Sequence, residues 1–392
     1  MTDLLLRDAR LWGREGRTDL LVKDGRIEAV ADAIPAEGAH VEDLGGAVVI
    51  PGLVDAHAHV DKTLWGGPWV PRTAGPGLAA AIAYGAERRA EFGIPNADFI
   101  TALLTNMCVS GTTHARSHVD IDPGIGIGAV HAVREAVERL DGRIDVELVA
   151  FPQTGILASP GTAELMDEAL AAGVKSVGGI DPEGFDGDAE RHLDLVFALA
   201  EKHGAEIDIH LHDGGDLGVK TFDMIIERTR ALGYTGKVVI SHAFALCDAD
   251  DATRARLIAD LAELQIGLTS VAPKKILPLK ELDEAGVTMG IGNDGVRDLW
   301  SPYGTGDNLQ RTQWFARNAG FSKDADIELA LEAATFGGAR LLKLDRYGLA
   351  VGDTADLVAL KGRNPSEAVL EHHQRKLVVK NGRVVAREGA LV

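Results

Sequence analysis

Two histidine pairs, each with a spacing of two residues, are the clearest sign of chemistry in the sequence. His57 and His59 occur in the run GLVDAHAH, and His210 and His212 occur in the run DIHLHD. Residues two apart in a β-strand lie on the same face, so each pair can direct both imidazoles to one site. Imidazole nitrogens are common ligands of divalent metals. A single pair is a weak signal, because a histidine at a strand end can equally satisfy hydrogen bonds in the core.

Two other apolar segments also end in residues that could serve a metal centre. One ends at His242 and the other at Asp294. Three imidazoles and one carboxylate make a coordination sphere that leaves a position open for water. We therefore predict His57, His59, His210 and Asp294 as the ligands of one divalent metal ion. Such a sphere accepts several first-row metals, and both Zn and Fe fit it.

The elements that must position these residues are apolar strands that alternate with amphipathic helices such as 128–140, 189–202 and 251–264. The eight predicted strands are Gly52 to Val60, Thr112 to Ile121, Asp145 to Gln153, Ser176 to Asp181, Glu206 to Asp213, Lys237 to Ala243, Ile266 to Ala272 and Val287 to Asp294. Eight such units are typical of an α/β fold, the (β/α)8 TIM barrel, whose active site lies at the C-terminal ends of the strands. A doubly wound open sheet also alternates strands with helices and is the alternative.

Both ends of the chain have a different pattern, in which short strands flank a tight turn. The turns are Lys23-Asp24-Gly25 and Lys380-Asn381-Gly382. The shared pattern predicts one small β-sandwich built from both termini, residues 1–50 plus 350–392. Residues 51–349 would then form the metal-dependent barrel, which is the catalytic domain. Two unrelated hairpins are the alternative.

Composition excludes several classes of function. The chain has 392 residues and a formal net charge of -19, which disfavours binding to nucleic acid or to an anionic membrane. The chain start has no basic segment before an apolar run, and no apolar stretch approaches the roughly 20 residues that span a bilayer. Cys108 and Cys247 are the only cysteines, which suits a reducing compartment. We expect a cytoplasmic homo-oligomer that acts on a small molecule.

Longer runs around the predicted site resemble a known family. The PGLVDAHAH, IDIHLHD, SHA and GNDGVRD runs are similar to the metal-dependent amidohydrolase superfamily, whose members join an eight-stranded barrel to a β-sandwich from both termini. FPQTG, HLHDGGDLGV and DGVRDLWSPYGTGDNLQ resemble its cytosine deaminase branch, which includes enzymes that remove an alkylamine from a triazine. The resemblance implies hydrolytic removal of an amino or alkylamino group from an N-heterocycle. The ring could be a pyrimidine, triazine, imidazole or pterin.

The resemblance also implies roles for individual residues. The four predicted ligands correspond to the metal ligands of the family, and His242 corresponds to the histidine that hydrogen-bonds the attacking water. Gln153 corresponds to a glutamine that contacts the heterocycle, and Trp300 to an aromatic residue of the pocket. Strand four ends at Asp181 without the lysine that bridges two ions in other members. One metal ion is therefore expected.

Two more residues are assigned to the substrate pocket with a structural alternative left open. Lys62 occurs where the related triazine enzyme also has a lysine, and the alternative is a surface salt bridge with Asp61. His118 can line the pocket or serve the packing of strand two, and the same choice applies to His114 and Arg116.

Two departures from the cytosine deaminases bear on proton transfer and on substrate. Their glutamate shuttle is replaced by Asp213, which is one methylene shorter, and a second carboxylate is replaced by Gly295. His212 shares the face of His210, so we predict His212 or Asp213 as the general acid/base. Asp294 can also accept a proton from water while it remains a ligand. Cytosine itself is disfavoured as the substrate.

Three other functions are compatible with parts of the sequence. The same metal site could open a cyclic amide or imide, although the FPQTG and HLHDGGDLGV runs favour an aminohydrolase. A dinucleotide-binding oxidoreductase would use Gly124, Gly126 and Ala129 as a GxGxxA motif, but the preceding strand is polar instead of apolar. A metal-binding protein without catalysis would bind the ion and turn over no substrate.

Overall fold

The computed structural model describes residues 3–272 and 275–392. The first two residues, which belong to the predicted terminal domain and to the expectation about the chain start, lie outside this range.

Strands β1 to β18 are Leu4–Leu11, Thr18–Lys23, Arg26–Ala31, His40–Asp43, Val48–Pro51, Leu53–His59, Thr112–Asp120, Asp145–Phe151, Ser176–Ile180, Glu206–His210, Val238–Ser241, Gly267–Ser270, Met289–Ile291, Asp294–Gly295, Leu357–Leu360, Leu377–Lys380, Arg383–Arg387 and Ala390–Leu391.

Helices lie between most of the central strands. Helices α1 to α13 are Leu78–Arg88, Ala97–Val109, Gly128–Arg139, Thr162–Ala171, Ala189–His203, Gly215–Ala231, Phe244–Asp248, Asp251–Glu263, Leu279–Glu284, Asn308–Asn318, Asp324–Glu332, Gly338–Leu341 and Pro365–Glu371. The three helices given above as examples end within one residue of their predicted bounds. Their apolar residues recur at helical spacing and are buried against the sheet, which is why periodicity alone located them.

The central sheet contains β6 to β14 in the order β13-β12-β11-β10-β9-β8-β7-β6-β14. Its strands pair in parallel. β13 and β14 are consecutive in the chain but lie at opposite ends of this order, so the sheet curls until its two ends approach each other. The predicted α/β fold is confirmed, and the curled parallel sheet agrees with a barrel of the predicted type.

The eighth predicted strand differs from the prediction because it is divided into β13 and β14. Asp294 has a φ of 60°, a left-handed conformation that interrupts an extended strand. β13 pairs with β12, whereas Asp294 pairs with Ala58 of β6. Gly292 lies against the backbone of His57, where any Cβ atom would overlap it. A glycine is therefore required where the chain crosses towards β6.

The two termini form a second sheet, in the order β18-β17-β16-β15-β5-β1-β2-β3, with β4 beside β1. The N-terminal and C-terminal parts join where β5 pairs antiparallel with β15. The two predicted turns meet, since the backbones of Gly25 and Gly382 approach closely. The association of both chain ends is thus observed, and their division into the layers of a sandwich stays a prediction.

Among the described residues, every helix is too short or too polar to cross a bilayer. Cys108 and Cys247 are both free thiols, in agreement with the absence of a disulfide pattern in the sequence.

Candidate metal centre and substrate cavity

The predicted metal ligands converge at the C-terminal edge of the central sheet. β6 ends at His59 and β10 ends at His210, while Asp294 begins β14 next to β6. Nε2 of His59 lies 3.1 Å from Nε2 of His210 and 3.4 Å from Oδ1 of Asp294. Nε2 of His57 lies 3.9 Å from the same oxygen. The four side chains thus meet in one small volume, although His57 and Asp294 are 237 positions apart in the sequence.

The donor set fits a divalent metal ion. Nε2 of His57 is buried without a hydrogen-bond partner, and Nε2 of His59 faces both Nε2 of His210 and the Asp294 carboxylate. A buried polar atom without a partner is costly, and an ion bound among these rings offers their nitrogens a partner. Burial lowers the pKa values of all three histidines well below the usual range. They are therefore neutral at physiological pH, which is the form that ligates metals.

His118 lies beside the four predicted ligands, His57, His59, His210 and Asp294, which together form the His/Asp cluster. The sequence analysis left this placement of His118 open. One nitrogen each of His57, His59, His118 and His210 lies within 4.8 Å of the others. The His118 ring is completely buried, with its centroid 4.5 Å from that of His210. Its contact with substrate stays a prediction, and its ring lies among those of the predicted ligands His57, His59 and His210.

The other polar residues of strand two have structural contacts. Arg116 is buried and forms ion pairs with Glu147 at 2.7 Å and with Glu206 at 3.1 Å. His114 lies near Lys380, with 3.2 Å between the imidazole and ammonium nitrogens, so it faces the terminal sheet. The observed contacts of Arg116 and His114 therefore agree with a role in packing and not with a place in the substrate pocket.

Three of the four predicted substrate-binding residues line one cavity beside the cluster. Lys62, Gln153 and Trp300 form its polar and aromatic wall, and Ile82 and Leu299 contribute apolar surface. The cavity therefore offers a flat substrate both an aromatic face and hydrogen-bonding groups.

Lys62 has a different partner from the one suggested by the surface-pair alternative. Its ammonium donates to Asp120 at 3.0 Å and to the side-chain oxygen of Gln153, and it lies 5.1 Å from the centre of the Trp300 ring. Burial lowers the pKa of Lys62, but the carboxylates of Asp120 and Asp61 outweigh this effect and raise it. A partly buried lysine paired with Asp120 is observed in place of an exposed salt bridge with Asp61.

His212 and Asp213, the two candidates for proton transfer, have different surroundings. The His212 ring stacks on His242 with 4.1 Å between centroids, and its Nδ1 lies 2.9 Å from a carboxylate oxygen of Asp181. Asp213 instead accepts a hydrogen bond from the backbone of Gly184 at 3.0 Å. His212 is therefore next to the cluster, while Asp213 is engaged with the loop after β9.

Asp181 is a functional candidate that sequence reasoning missed. In the sequence analysis Asp181 appears only as the residue at the end of strand four, where other family members have a lysine. Its carboxylate also accepts hydrogen bonds from the backbone nitrogens of His212 and Asp213, at 2.6 and 3.2 Å. The available signal was a carboxylate at a barrel strand end, in the same position as the ligands of the other strands.

Loss of the Gln153 side-chain amide is expected to weaken substrate binding. In Gln153→Leu we expect KM to rise about tenfold with a smaller effect on kcat, because one hydrogen bond to the substrate is lost. Thr154→Val is the matched control, since Thr154 lines the same cavity and its hydroxyl has no partner. Steady-state kinetics of both variants measure the effect. Equal KM values in wild type and Gln153→Leu would argue against substrate contact.

Comparison with known proteins adds an independent observation. Residues 97–386 match a family described as Amidohydrolase family. The chain is 32% identical over 407 aligned residues to N-isopropylammelide isopropyl amidohydrolase of Pseudomonas sp. (strain ADP), covering 100% of this chain and 98% of that protein. N-isopropylammelide isopropylaminohydrolase from Burkholderia multivorans ATCC 17616 has a similar structure, with a TM-score of 0.96, 40% identity and complete coverage of both chains.

A second solved structure extends the comparison to another ring. 5-Methylcytosine deaminase from Klebsiella pneumoniae, liganded with 5-fluorocytosine, has a TM-score of 0.85 and 26% identity. The match covers 98% of this chain and 97% of the deaminase.

Proposed function

Because the chain belongs to the amidohydrolase family, we propose that it is a metal-dependent aminohydrolase that removes an amino or alkylamino group from an N-heterocycle. The observation that carries this proposal is the position of the His/Asp cluster next to the cavity of Lys62, Gln153 and Trp300. The names of the similar proteins, which refer to N-isopropylammelide and to 5-methylcytosine, support the same class of substrate.

We propose His57, His59, His210 and Asp294 as ligands of a single ion, Zn or Fe. The ion, when bound, makes hydroxide available near neutral pH by lowering the pKa of water towards about 7. The single-ion stoichiometry is supported by the strand-four position, where Asp181 replaces the lysine that bridges two ions in other members and is hydrogen-bonded to His212.

The chain's own side chains supply the remaining steps. His242, a neighbour of Asp294 in the cluster, would stabilise charge that develops on the ring during attack. His212 would pass a proton to the departing amine, so that the ring gains a carbonyl oxygen and the amine leaves in neutral form. Gln153, Lys62 and Trp300 would orient the heterocycle.

The domain organisation and the cellular location also remain proposals. We propose that residues 1–50 and 350–392 form the terminal sandwich and that residues 51–349 form the catalytic barrel. A separate apolar core that includes Leu20, Val49 and Leu357 supports the terminal domain. The two free thiols support a reducing, cytoplasmic location. The homo-oligomer stays a prediction.

Mass spectrometry of a substrate panel tests the proposed reaction. We expect metal-loaded protein to exchange an amine for a hydroxyl on at least one amino- or alkylamino-N-heterocycle. Cyclic amides and imides belong in the same panel, because the same site could attack a ring carbonyl. A gain of one water without loss of an amine would identify a cyclic amidase and overturn the proposal. Enzyme treated with a chelator is the control.

A further inference from the structure

A chain of buried hydrogen bonds lies behind His57, on the side opposite the cluster. Nδ1 of His57 is 2.9 Å from the hydroxyl oxygen of Ser241, and that hydroxyl is 2.6 Å from an oxygen of Asp208. The Thr269 hydroxyl also donates to Ser241 at 2.8 Å. The side chains of these residues are inaccessible to solvent. Bulk water therefore does not compete for these hydrogen bonds.

The number of protons available determines which group donates in the hydrogen bonds that join His57, Ser241 and Asp208. The guanidinium of Arg116 lies 3.4 Å from Asp208, which favours the ionised carboxylate, an acceptor only. Ser241 has one hydroxyl proton and must donate it to Asp208. Its oxygen can then only accept from His57, so the proton of the neutral imidazole is on Nδ1. The lone pair is consequently on Nε2, which has no hydrogen-bond partner and faces Asp294.

We propose that Ser241 and Asp208 are positioning residues that fix the tautomer and orientation of His57 before the ion binds. This inference rests on the proposed role of His57 as a ligand. His59 and His210 lack such support, because their Nδ1 atoms have no hydrogen-bond partner among the described residues. His57 is thus the preorganised ligand of the set, while the tautomers of the other two histidines are left to the ion to select.

The tautomer of His57 can be measured directly in the metal-free wild-type protein. Long-range proton–nitrogen NMR spectra of histidine-labelled protein distinguish a proton on Nδ1 from one on Nε2, with His57→Gln used to assign the signals. We expect the Nδ1–H form. A predominant Nε2–H form would overturn the proposal. The measurement needs neither substrate nor turnover, so a failure of the proposed function would leave its result unchanged.

Metal affinity provides the second test. In Ser241→Ala we expect a ten- to hundredfold higher dissociation constant for Zn²⁺ in competition with a chelator, and loss of the Nδ1–H preference. Ser176→Ala is the matched control, because Ser176 is a buried serine of β9 whose hydroxyl has no partner. The Thr269 hydroxyl, 3.4 Å from Nδ1 of His57, can replace Ser241 in part, so the Ser241→Ala/Thr269→Val variant is expected to lose more.

Two results on metal affinity would contradict the proposal. One is an unchanged dissociation constant in both Ser241→Ala and the double variant. The other is an equal loss in Ser176→Ala, which would indicate a general effect on the barrel. If Ser241→Ala fails to fold, the tautomer of His57 in the wild-type protein still tests the proposal.

Discussion

Replacement of His210 by alanine is expected to remove the metal ion and the activity together. His210 approaches His59 to 3.1 Å and is buried, so alanine removes one nitrogen from the centre of the proposed coordination sphere. A metal supplies several kcal/mol of transition-state stabilisation, and each 1.36 kcal/mol is tenfold in rate. We therefore expect turnover to fall by about a thousandfold or more. Metal analysis of the purified variant and kinetics on the panel substrate measure the two effects.

His131→Ala is the control for this substitution, since His131 is exposed on α3. It should retain full metal content and full activity. A His210→Ala protein that keeps stoichiometric metal would contradict the ligand assignment, even if its activity were lost.

The elements that carry the site were predictable because each has a pattern that depends on a short stretch of sequence. Buried parallel strands are continuous apolar runs, and their polar C-terminal residues mark one edge of the sheet. For this reason the sequence alone predicts that His57, His210 and Asp294 share one site. The turns at Gly25 and Gly382 likewise identified the terminal hairpins.

The contacts between strands could not be predicted in the same way. The His57–Ser241 hydrogen bond joins residues 184 positions apart, and it depends on the curl of the sheet, which brings β6 opposite β11. The pairing of Lys62 with Asp120 depends on a single turn of 3-10 helix, Val60–Lys62, which follows β6 and is too short to leave a periodic pattern in the sequence. The left-handed turn at Asp294 is a local departure from an otherwise regular strand. Sequence periodicity specifies which residues share a face, but not which faces meet.

His212→Ala is expected to keep the metal ion and to lose most of kcat. The His212 ring stacks on His242 and is hydrogen-bonded to Asp181, so it is held beside the cluster without belonging to the proposed ligand set. A positioned general acid/base contributes about a hundred- to ten-thousandfold to a rate, and we expect a loss of that size in kcat. Metal analysis and steady-state kinetics separate this effect from loss of the ion.

The decisive comparison is with Asp213→Ala. Asp213 accepts its hydrogen bond from Gly184, and burial together with the charge of Asp181 raises its pKa, so a role in proton transfer is chemically open to it. If His212 is the shuttle, Asp213→Ala should retain kcat within about tenfold, and Asp181→Asn should reduce kcat because the orientation of His212 is lost. If Asp213→Ala loses kcat while His212→Ala retains it, the acidic shuttle of the cytosine deaminases operates here with a shorter side chain, and the stacked histidine serves only to position His242.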